Sequence, residues 1–259
     1  ILSYIVEEGR AAGIEHFVFI TGRGKDAIPD YFDHQVELEL QLRAKGKIEM
    51  LDSMLADLPK PGEMSFLRQM SPLGLGHAVW CAREVIGDEP FAVMLPDVII
   101  DAERSGLGQL VDAYRSVGGN VIGVEPVPIS ETHKYGVIAP KAHSGVKDIG
   151  KLVEMTGMVE KPSQGTAPSN LAISGRYILQ PEIFDVLKNQ ETGAGGEIQL
   201  TDAMATLMKS QAFHALEYVG VTHDCGDKIG LLRANVALAL KRPDLADAAR
   251  AALEPLMRR

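Results

Sequence analysis

An apolar run of five residues, Phe91–Leu95, most constrains the fold of this chain, because it ends abruptly in Pro96-Asp97. A strand without polar positions is typical of a sheet that is covered on both faces, as parallel sheets are. Helical patterns flank the run at 76–84 and 107–117. This alternation predicts a doubly wound α/β fold, whose ligands bind at the carboxyl ends of the strands.

The rest of the chain adds further helices and strands. Residues 1–12 predict a helix, whereas short strands broken by Pro, Gly and Ser occupy 120–175. Helical patterns return at 182–188, 197–209 and 228–241. The predicted fold class is α/β, with a Rossmann-like mixed, mostly parallel central sheet, helices on both faces and a small antiparallel subregion.

Charge and cysteine content exclude several classes of protein. A formal net charge of -9 disfavours nonspecific binding to nucleic acid or an anionic membrane, since both need a basic surface. No apolar run approaches the roughly 20 residues that span a bilayer. Cys81 and Cys225 form no paired motif, which favours a reduced, cytoplasmic protein. We therefore expect neither nucleic acid nor membrane among its partners.

Two aspartates near predicted strand ends are candidate metal ligands. Asp97 follows the apolar run, and Asp224 follows the strand predicted at 213–219. Mg²⁺ is commonly held by one or two carboxylates together with water and phosphate oxygens, so this pair would suffice. The alternatives are a turn-forming role for Asp97 and a cap for the helix near Lys228, for which Asp227 is the better candidate.

A predicted strand, a glycine-containing loop and a helix follow one another at Gln69–Ala78. Gln69 carries both a donor and an acceptor for the edge of a base, and Gly74 would let a nucleotide lie against backbone. A simple strand-to-helix turn explains the same glycines, and His77 is better explained as a packed helix residue than as a ligand. The loop is a candidate nucleotide site.

Charged residues end another predicted strand, just before Pro162. Lys161 could hold a phosphate as a compact charge, and Glu160 could accept hydrogen bonds from sugar hydroxyls. In a turn at the end of the strand, both side chains can reach one ligand. Solvated surface charge is the alternative explanation.

Several motifs occur in an order that is typical of one enzyme family. They are Leu95-Pro96-Asp97, Lys134-Tyr135-Gly136-Val137, Val159-Glu160-Lys161-Pro162, Ser169-Asn170-Leu171-Ala172, Gly195-Gly196-Glu197-Ile198-Gln199-Leu200-Thr201-Asp202 and His223-Asp224-Cys225-Gly226. Over nearly its whole length the chain resembles the bacterial UTP–glucose-1-phosphate uridylyltransferases, or UDP-glucose pyrophosphorylases, among the sugar-phosphate nucleotidylyltransferases. The Glu-Lys-Pro motif is shared more widely, whereas the Gly-Leu-Gly-His-Ala loop and the last two motifs favour the UTP and glucose branch.

The resemblance implies transfer of UMP from UTP to glucose 1-phosphate, with Mg²⁺ as cofactor and no covalent intermediate. It implies that Asp97 and Asp224 bind Mg²⁺ and that Gln69 and Gly74 contact uracil. Asp97 and Lys161 would be catalytic. Glucose and its phosphate would be surrounded by Gly136, Glu160, Lys161, Asn170 and Gly175.

The resemblance also implies a single nucleotidyltransferase domain over 1–259. Its nucleotide-binding half would lie at 1–119, its sugar-phosphate-binding half at 120–227 and its C-terminal helices at 228–259, so the antiparallel subregion would bind sugar. We expect a homo-oligomer, a dimer or tetramer, whose UDP-glucose supplies polysaccharide synthesis. The polar helical segment at 35–57 fits either a subunit contact or an excursion from the sheet.

The family's glycine-rich nucleotide loop, Gly-x-Gly-Thr-Arg followed by a lysine, is expected before the first helix and does not occur in this sequence. Because the chain opens at Ile1 inside a helical pattern, we expect a preceding segment to carry it. Without that loop, a catalytically silent sugar-nucleotide-binding protein is one alternative, and a relative that uses another nucleotide or sugar phosphate is a second. A metal-dependent glycosyltransferase is disfavoured because no Asp-x-Asp follows an apolar strand.

Overall fold

The computed structural model describes residues 1–141 and 151–258 of the chain. These residues fall into two units. The first comprises Ile1–Gly13, Pro90–Gln180 and the chain from Met208 onward, and the second comprises Ile14–Glu89 and Pro181–Leu207. Within the described ranges, no helix is both long enough and apolar enough to cross a membrane.

The described residues form eleven α-helices, two of which divide between them the segment predicted as helical over 35–57. They are α1 (Leu2–Ala11), α2 (Ala27–Tyr31), α3 (Val36–Ala44), α4 (Ile48–Ala56), α5 (Leu75–Cys81), α6 (Arg83–Ile86), α7 (Gly106–Val117), α8 (Ile183–Lys188), α9 (Leu200–Leu207), α10 (Lys228–Lys241) and α11 (Ala246–Met257). Short 3₁₀ turns lie at Ile129–Lys134 and Ala194–Gly196. The helices predicted at 1–12, 107–117 and 228–241 are confirmed to within one residue at each end.

The strands divide between the two units. They are β1 (Phe17–Thr21), β2 (Met64–Arg68), β3 (Phe91–Met94), β4 (Val98–Asp101), β5 (Asn120–Pro126), β6 (Gly136–Pro140), β7 (Lys151–Glu160), β8 (Leu171–Leu179), β9 (Phe213–Glu217) and β10 (Val221–Asp224). In the first unit, a sheet runs in the order β3-β8-β5-β9-β7-β6, and β4 pairs with β10. The α/β class with a mixed central sheet is confirmed.

The expected predominance of parallel strands is wrong for the residues described. Parallel pairing is found for β1 with β2 and for β5 with β9, whereas the other strand pairs there are antiparallel. The apolar run in β3 suggested a parallel sheet, yet β3 pairs antiparallel with β8. A strand covered on both faces needs apolar side chains in either orientation, so its composition does not fix its direction. The antiparallel pairing expected within 120–175 is confirmed by β6 and β7.

The core of the first unit forms where α7 packs against β5 and β8. Leu107, Leu110 and Ala113 recur at helical spacing on one side of α7 and are fully buried. The helix begins after Ser105, whose hydroxyl accepts a hydrogen bond from the Gly108 N–H at 3.1 Å. This packing holds β8, the strand that carries several residues of the candidate site.

The second unit contains the parallel pair β1 and β2, in which Phe17 lies opposite Met64. The Gln69 N–H continues the pairing beyond β2, because it donates to the Thr21 carbonyl oxygen at 2.8 Å. Helix α5 follows and packs against α8 and α9. The backbone of Gln69 is therefore fixed by the sheet before the loop begins.

Candidate functional site

Asp97 and Asp224 lie at the ends of neighbouring segments of the first unit. Asp97 occupies the turn between β3 and β4, and Asp224 ends β10, where it pairs with Val98. The Cys225 N–H donates to the Asp97 carbonyl oxygen at 2.6 Å. Each carboxylate has an oxygen within 3.4 Å of the position that a Cβ on Gly226 would occupy. The structure therefore brings the two predicted metal ligands together, with those oxygens less than twice that distance apart.

Further negative charge gathers around Asp224. Burial raises the pKa of the Glu125 carboxyl, a hydrogen bond with Thr222 opposes that rise, and the charge of Asp224 adds to it. Burial also raises the pKa of the Tyr135 hydroxyl, and nearby carboxylates, Asp224 foremost, raise it further. A cation between Asp97 and Asp224 would relieve this concentration of charge.

The two aspartates do not form a complete metal site by themselves. Across residues 1–141 and 151–258, no group of three or more His, Cys, Asp or Glu side chains could hold a metal ion. A site with two carboxylates suits Mg²⁺, whose other ligands are commonly water and substrate phosphate. Asp97 and Asp224 therefore fit a metal that is bound together with a phosphate ligand.

The helix cap predicted for Asp227 is confirmed. Its carboxylate accepts hydrogen bonds from the N–H groups of Ile229 and Gly230, at 2.7 and 2.9 Å. These bonds, that of Gly230 foremost, lower the pKa of Asp227. A Cβ at Gly230 would lie only 1.7 Å from the Asp224 carbonyl oxygen. The first turn of α10 thus lies directly against the backbone that carries the second aspartate.

A buried arginine holds the turn that carries Asp97. The Arg176 guanidinium donates to the carbonyl oxygens of Leu95 and Val98, at 3.1 and 2.7 Å. It also donates twice to the Glu8 carboxylate, at 3.1 and 2.7 Å, and Glu8 accepts a further bond from a backbone N–H at the start of α7. The Arg176 side chain is 0% exposed and that of Glu8 7%. Charge-assisted bonds with little competition from water thus fix both sides of the turn.

Glu160 and Lys161 lie at the end of β7 in a strained turn. Glu160 pairs in register with Gly136, and the Lys161 N–H donates to the Tyr135 carbonyl oxygen at 3.0 Å. The φ angle of Lys161 is 44°, in the left-handed region that residues other than glycine rarely adopt. Its ammonium lies 3.9 Å from the Glu160 carboxylate, and its side chain is 59% exposed. The turn therefore presents a cation that an anion from solution can reach.

A buried tyrosine shows that two of the predicted groups share one neighbourhood. Burial raises the pKa of the Tyr177 hydroxyl on β8, and the charges of Glu160 and Asp97 raise it further. Both carboxylates therefore act on the same hydroxyl. Asp97, the predicted metal ligand, and Glu160, the predicted sugar ligand, therefore both lie near enough to Tyr177 to raise its pKa.

Asn170 directly precedes β8 and Gly175 lies in the middle of that strand, in different environments. Asn170 has an exposed side chain, and its carbonyl oxygen accepts from the Val127 N–H at 2.9 Å. Gly175 is buried, has a φ of 79°, and lies where the pairing of β5 with β8 is irregular. A Cβ there would lie 3.1 Å from the Leu95 Cβ. Backbone conformation and close packing thus explain this glycine independently of any ligand.

In the second unit, Gln69 and Gly74 contact each other. The Gln69 Nε2 donates to the Gly74 carbonyl oxygen at 3.0 Å and lies 3.0 Å from Nδ1 of His77. Gly74 has a φ of 104°, and a Cβ there would lie 2.8 Å from the Glu197 Cβ and 2.9 Å from the Ile198 carbonyl oxygen. Close approach to these two residues is the physical reason for the glycine.

The sequence of the chain is similar to those of known nucleotidyl transferases. Residues 25–240 match the Nucleotidyl transferase family. Over 251 residues the chain is 47% identical to the UTP–glucose-1-phosphate uridylyltransferase of Bacillus subtilis strain 168. The aligned region covers 95% of this chain and 82% of that relative. The chain belongs to the UTP–glucose-1-phosphate uridylyltransferase family. The resemblance inferred from the motifs is therefore confirmed.

Solved structures of uridylyltransferases have the same fold. A UTP-bound UGPase from Acinetobacter baumannii matches with a TM-score of 0.87 and 37% identity, over 97% of this chain and 86% of that one. A UDP-glucose pyrophosphorylase complexed with UDP-glucose matches with a TM-score of 0.79 and 36% identity, over 93% and 87% of the two chains. The α/β architecture is thus that of the uridylyltransferases.

Four residues that the motif analysis did not assign to the site contact it or influence it. They are Glu8, His77, Arg176 and Tyr177. A charged residue inside the mostly apolar Leu171–Leu179 strand was the available signal for Arg176, since a charge that enters a core needs a partner. The Gln69–His77 contact had no such signal, because the two residues are eight positions apart, on opposite sides of the loop between β2 and α5.

Proposed function

We propose that this chain transfers the uridylyl group of UTP to glucose 1-phosphate, giving UDP-glucose and pyrophosphate. A phosphate oxygen of glucose 1-phosphate attacks the α-phosphorus of UTP in line, and the bond from that phosphorus to the pyrophosphate breaks. The convergence of Asp97 and Asp224, in a neighbourhood that also holds Glu160, carries the proposal. The 47% identity to an enzyme named for this reaction supports it.

Asp97 and Asp224 are the proposed protein ligands of Mg²⁺, because paired carboxylates supply the hard oxygen atoms that it prefers. When bound, Mg²⁺ would screen the triphosphate charge and polarise the α-phosphate. The protein's part is to hold the two acids in place before the substrates arrive. Arg176 restrains the backbone on both sides of Asp97, and the Gly226 N–H donates to the Asp224 carboxylate at 2.8 Å.

Lys161 is the proposed ligand of the phosphate of glucose 1-phosphate. Its ammonium is a compact charge that can stay near that phosphate while charge shifts toward the leaving pyrophosphate. Glu160 would accept hydrogen bonds from glucose hydroxyls. The proposed surroundings of the sugar are completed by Gly136, Asn170 and Gly175.

No protein nucleophile or general base is required in this reaction. The second pKa of a phosphate monoester is about 6, so glucose 1-phosphate is largely dianionic at neutral pH. Its own oxygen is therefore ready to attack. The chain must instead align two anions that repel each other, and fixed geometry can contribute most of the catalysis in such a step.

For the second unit, we propose that Gln69 and the backbone at Gly74 contact uracil. The amide of Gln69 and the Gly74 carbonyl are already joined by a hydrogen bond, so neither has to be ordered when the base binds. Because buried polar groups reject an analogue that cannot pair with them, such a contact would select against other bases.

We further propose a cytoplasmic homo-oligomer, a dimer or tetramer, that binds neither nucleic acid nor membrane. Both cysteines are free thiols, and the formal net charge is -9. Exposed apolar side chains on α3 and α4, namely Val36, Leu40 and Met50, are suited to a subunit contact. The assignment of nucleotide to 1–119 and of sugar phosphate to 120–227 stays a prediction.

Pyrophosphate release by the purified protein tests the function. With glucose 1-phosphate and Mg²⁺, we expect kcat/KM for UTP to exceed that for CTP or ATP by about 100-fold or more. Asp224→Asn should keep the circular dichroism spectrum and lose about 100-fold in kcat. Equal turnover of several nucleotides would contradict the uridylyl assignment. Binding of UDP-glucose without any turnover would identify a silent binding protein.

A further inference from the structure

The loop that carries Gln69 has a hydrogen-bond pattern that determines which way the amide points. The Gly74 carbonyl oxygen lies 3.0 Å from one end of the amide and also accepts from the Ala78 N–H at 3.1 Å. A carbonyl oxygen can only accept hydrogen bonds. The NH₂ group of the Gln69 amide must therefore face the Gly74 carbonyl oxygen, and the amide oxygen must face the opposite way.

The orientation of the amide in turn determines the state of His77. The same NH₂ group lies 3.0 Å from Nδ1 of His77, and its second hydrogen is available for that contact. Nδ1 must then be an acceptor, which places the ring proton of neutral His77 on Nε2. In the flipped arrangement, the amide oxygen would face the Gly74 oxygen at 3.0 Å, and the two acceptors would repel each other.

We propose that His77 is a positioning residue that makes Gln69 specific for uracil, an inference that rests on the proposed contact between Gln69 and the base. Both amide hydrogens are taken by Gly74 and His77, so the amide oxygen alone is left for the ligand. A base recognised by this oxygen must donate a hydrogen. Uracil has a donor at N3, whereas N3 of cytosine is an acceptor and would be repelled.

Nearby side chains restrain the His77 ring. The ring packs near Trp80, with centroids 6.0 Å apart, and the Trp80 indole is itself covered by the Arg83 guanidinium at 3.7 Å. The Cys81 Sγ lies 3.9 Å from Nδ1, farther than the amide nitrogen. The contact with Gln69 is therefore the shorter of the two at Nδ1. His77 is placed to hold the amide, while Cys81 provides a neighbouring control position.

The test compares UTP with CTP as nucleotide substrates for the wild type and four variants. His77→Phe keeps a planar ring but removes the acceptor, which leaves the second hydrogen of the Gln69 NH₂ group free to be donated to cytosine N3 while the first stays on Gly74. We expect kcat/KM for UTP to fall about 10-fold and the preference for UTP over CTP to fall about 10-fold, as for the loss of one hydrogen bond. His77→Asn retains an oxygen acceptor near the position of Nδ1 and should keep the preference within about 3-fold.

Two further variants separate the possible failures. Gln69→Ala should lose the preference for UTP over CTP, whereas Cys81→Ala should keep it. In the two His77 variants, KM for glucose 1-phosphate should stay within about 2-fold of the wild-type value. A full UTP preference in His77→Phe, with only a lower Tm, would overturn the role of His77 while the proposed reaction stands. A full preference in Gln69→Ala would overturn the base contact on which the inference rests. If the wild type makes no UDP-glucose, the proposed function itself fails.

Discussion

Two pairs of opposite charge in the first unit, Glu8 with Arg176 and Glu160 with Lys161, differ in their surroundings. The first pair is joined by bonds of 3.1 and 2.7 Å and is almost wholly buried. In the second, the ammonium lies 3.9 Å from the carboxylate and the lysine side chain is 59% exposed. An acid and a base thus form a rigid, buried ion pair at Glu8 and Arg176, whereas at Glu160 and Lys161 the cation stays accessible to solvent.

This difference in burial indicates which charged pair stabilises the fold and which can bind a ligand. A buried pair stabilises little compared with apolar residues of the same shape, yet removal of one partner leaves an uncompensated charge. An exposed pair is screened by water and contributes about 0–1 kcal/mol to stability. We therefore expect Arg176 to matter chiefly for folding and for the Asp97 turn, and Lys161 chiefly for substrate.

The largest effect is expected for Arg176→Met, which leaves the Glu8 carboxylate and the carbonyl oxygens of Leu95 and Val98 without this donor. The free energy of unfolding should fall by about 3–5 kcal/mol, measured by urea denaturation. A Glu8→Leu/Arg176→Met variant should be less destabilised than the sum of the two single changes, by at least about 1 kcal/mol. Strict additivity would show that the two charges do not act as a unit.

A smaller effect, on activity rather than stability, is expected for Lys161→Ala. Loss of a charged hydrogen bond worth about 1.5–3 kcal/mol should lower kcat/KM for glucose 1-phosphate about 10- to 100-fold. Affinity for UTP alone should change little. Steady-state kinetics with each substrate varied separately measures both. Unchanged efficiency would mean that Lys161 is a solvated charge.

Lys161→Gly provides a matched control for that experiment. It should lose as much activity as Lys161→Ala, because both variants lack the ammonium. It should nevertheless be more stable than Lys161→Ala by about 1 kcal/mol, since glycine adopts the φ of 44° without strain. Equal stability of the two variants would contradict the strain assigned to this turn.

The smallest effect is expected at Asp227, which caps α10. Asp227→Ala should lower Tm at pH 7 by about 1–3 °C. Because the folded pKa is lowered, the stabilisation is present above the unfolded pKa of about 4 and is lost as pH falls through the folded pKa. The difference in Tm between the wild type and Asp227→Ala should therefore shrink as the pH falls below about 4. A difference that grows on acidification would contradict the capping role.

The sequence predicted most helices and strands because their patterns are local. Helical spacing located α7 and α10, and the proline and aspartate after Phe91–Leu95 located the end of β3, whereas β4 was not predicted. Strand direction was not predictable in the same way, since an apolar strand can be buried in either orientation. The convergence of Asp97 and Asp224 followed from a general rule about strand ends rather than from any contact visible in the sequence.

The parts that sequence reasoning missed depend on distant residues or on unusual backbone. Glu8 and Arg176 are 168 positions apart, so no local pattern relates them. The left-handed turn at Lys161 precedes Pro162, a position where extended backbone is the ordinary expectation. Such strain persists only when the surrounding structure imposes it.

The missing side chain at Gly230 has a consequence for the mutational tolerance of this region. Because the helix backbone meets the Asp224 carbonyl with no room for a methyl group, even alanine would force α10 and the aspartate segment apart. In a library of all single substitutions, position 230 should therefore resemble a ligand position in its intolerance, although it offers no functional group. Variation intended to alter the substrate range of the neighbouring loop would have to leave this glycine in place.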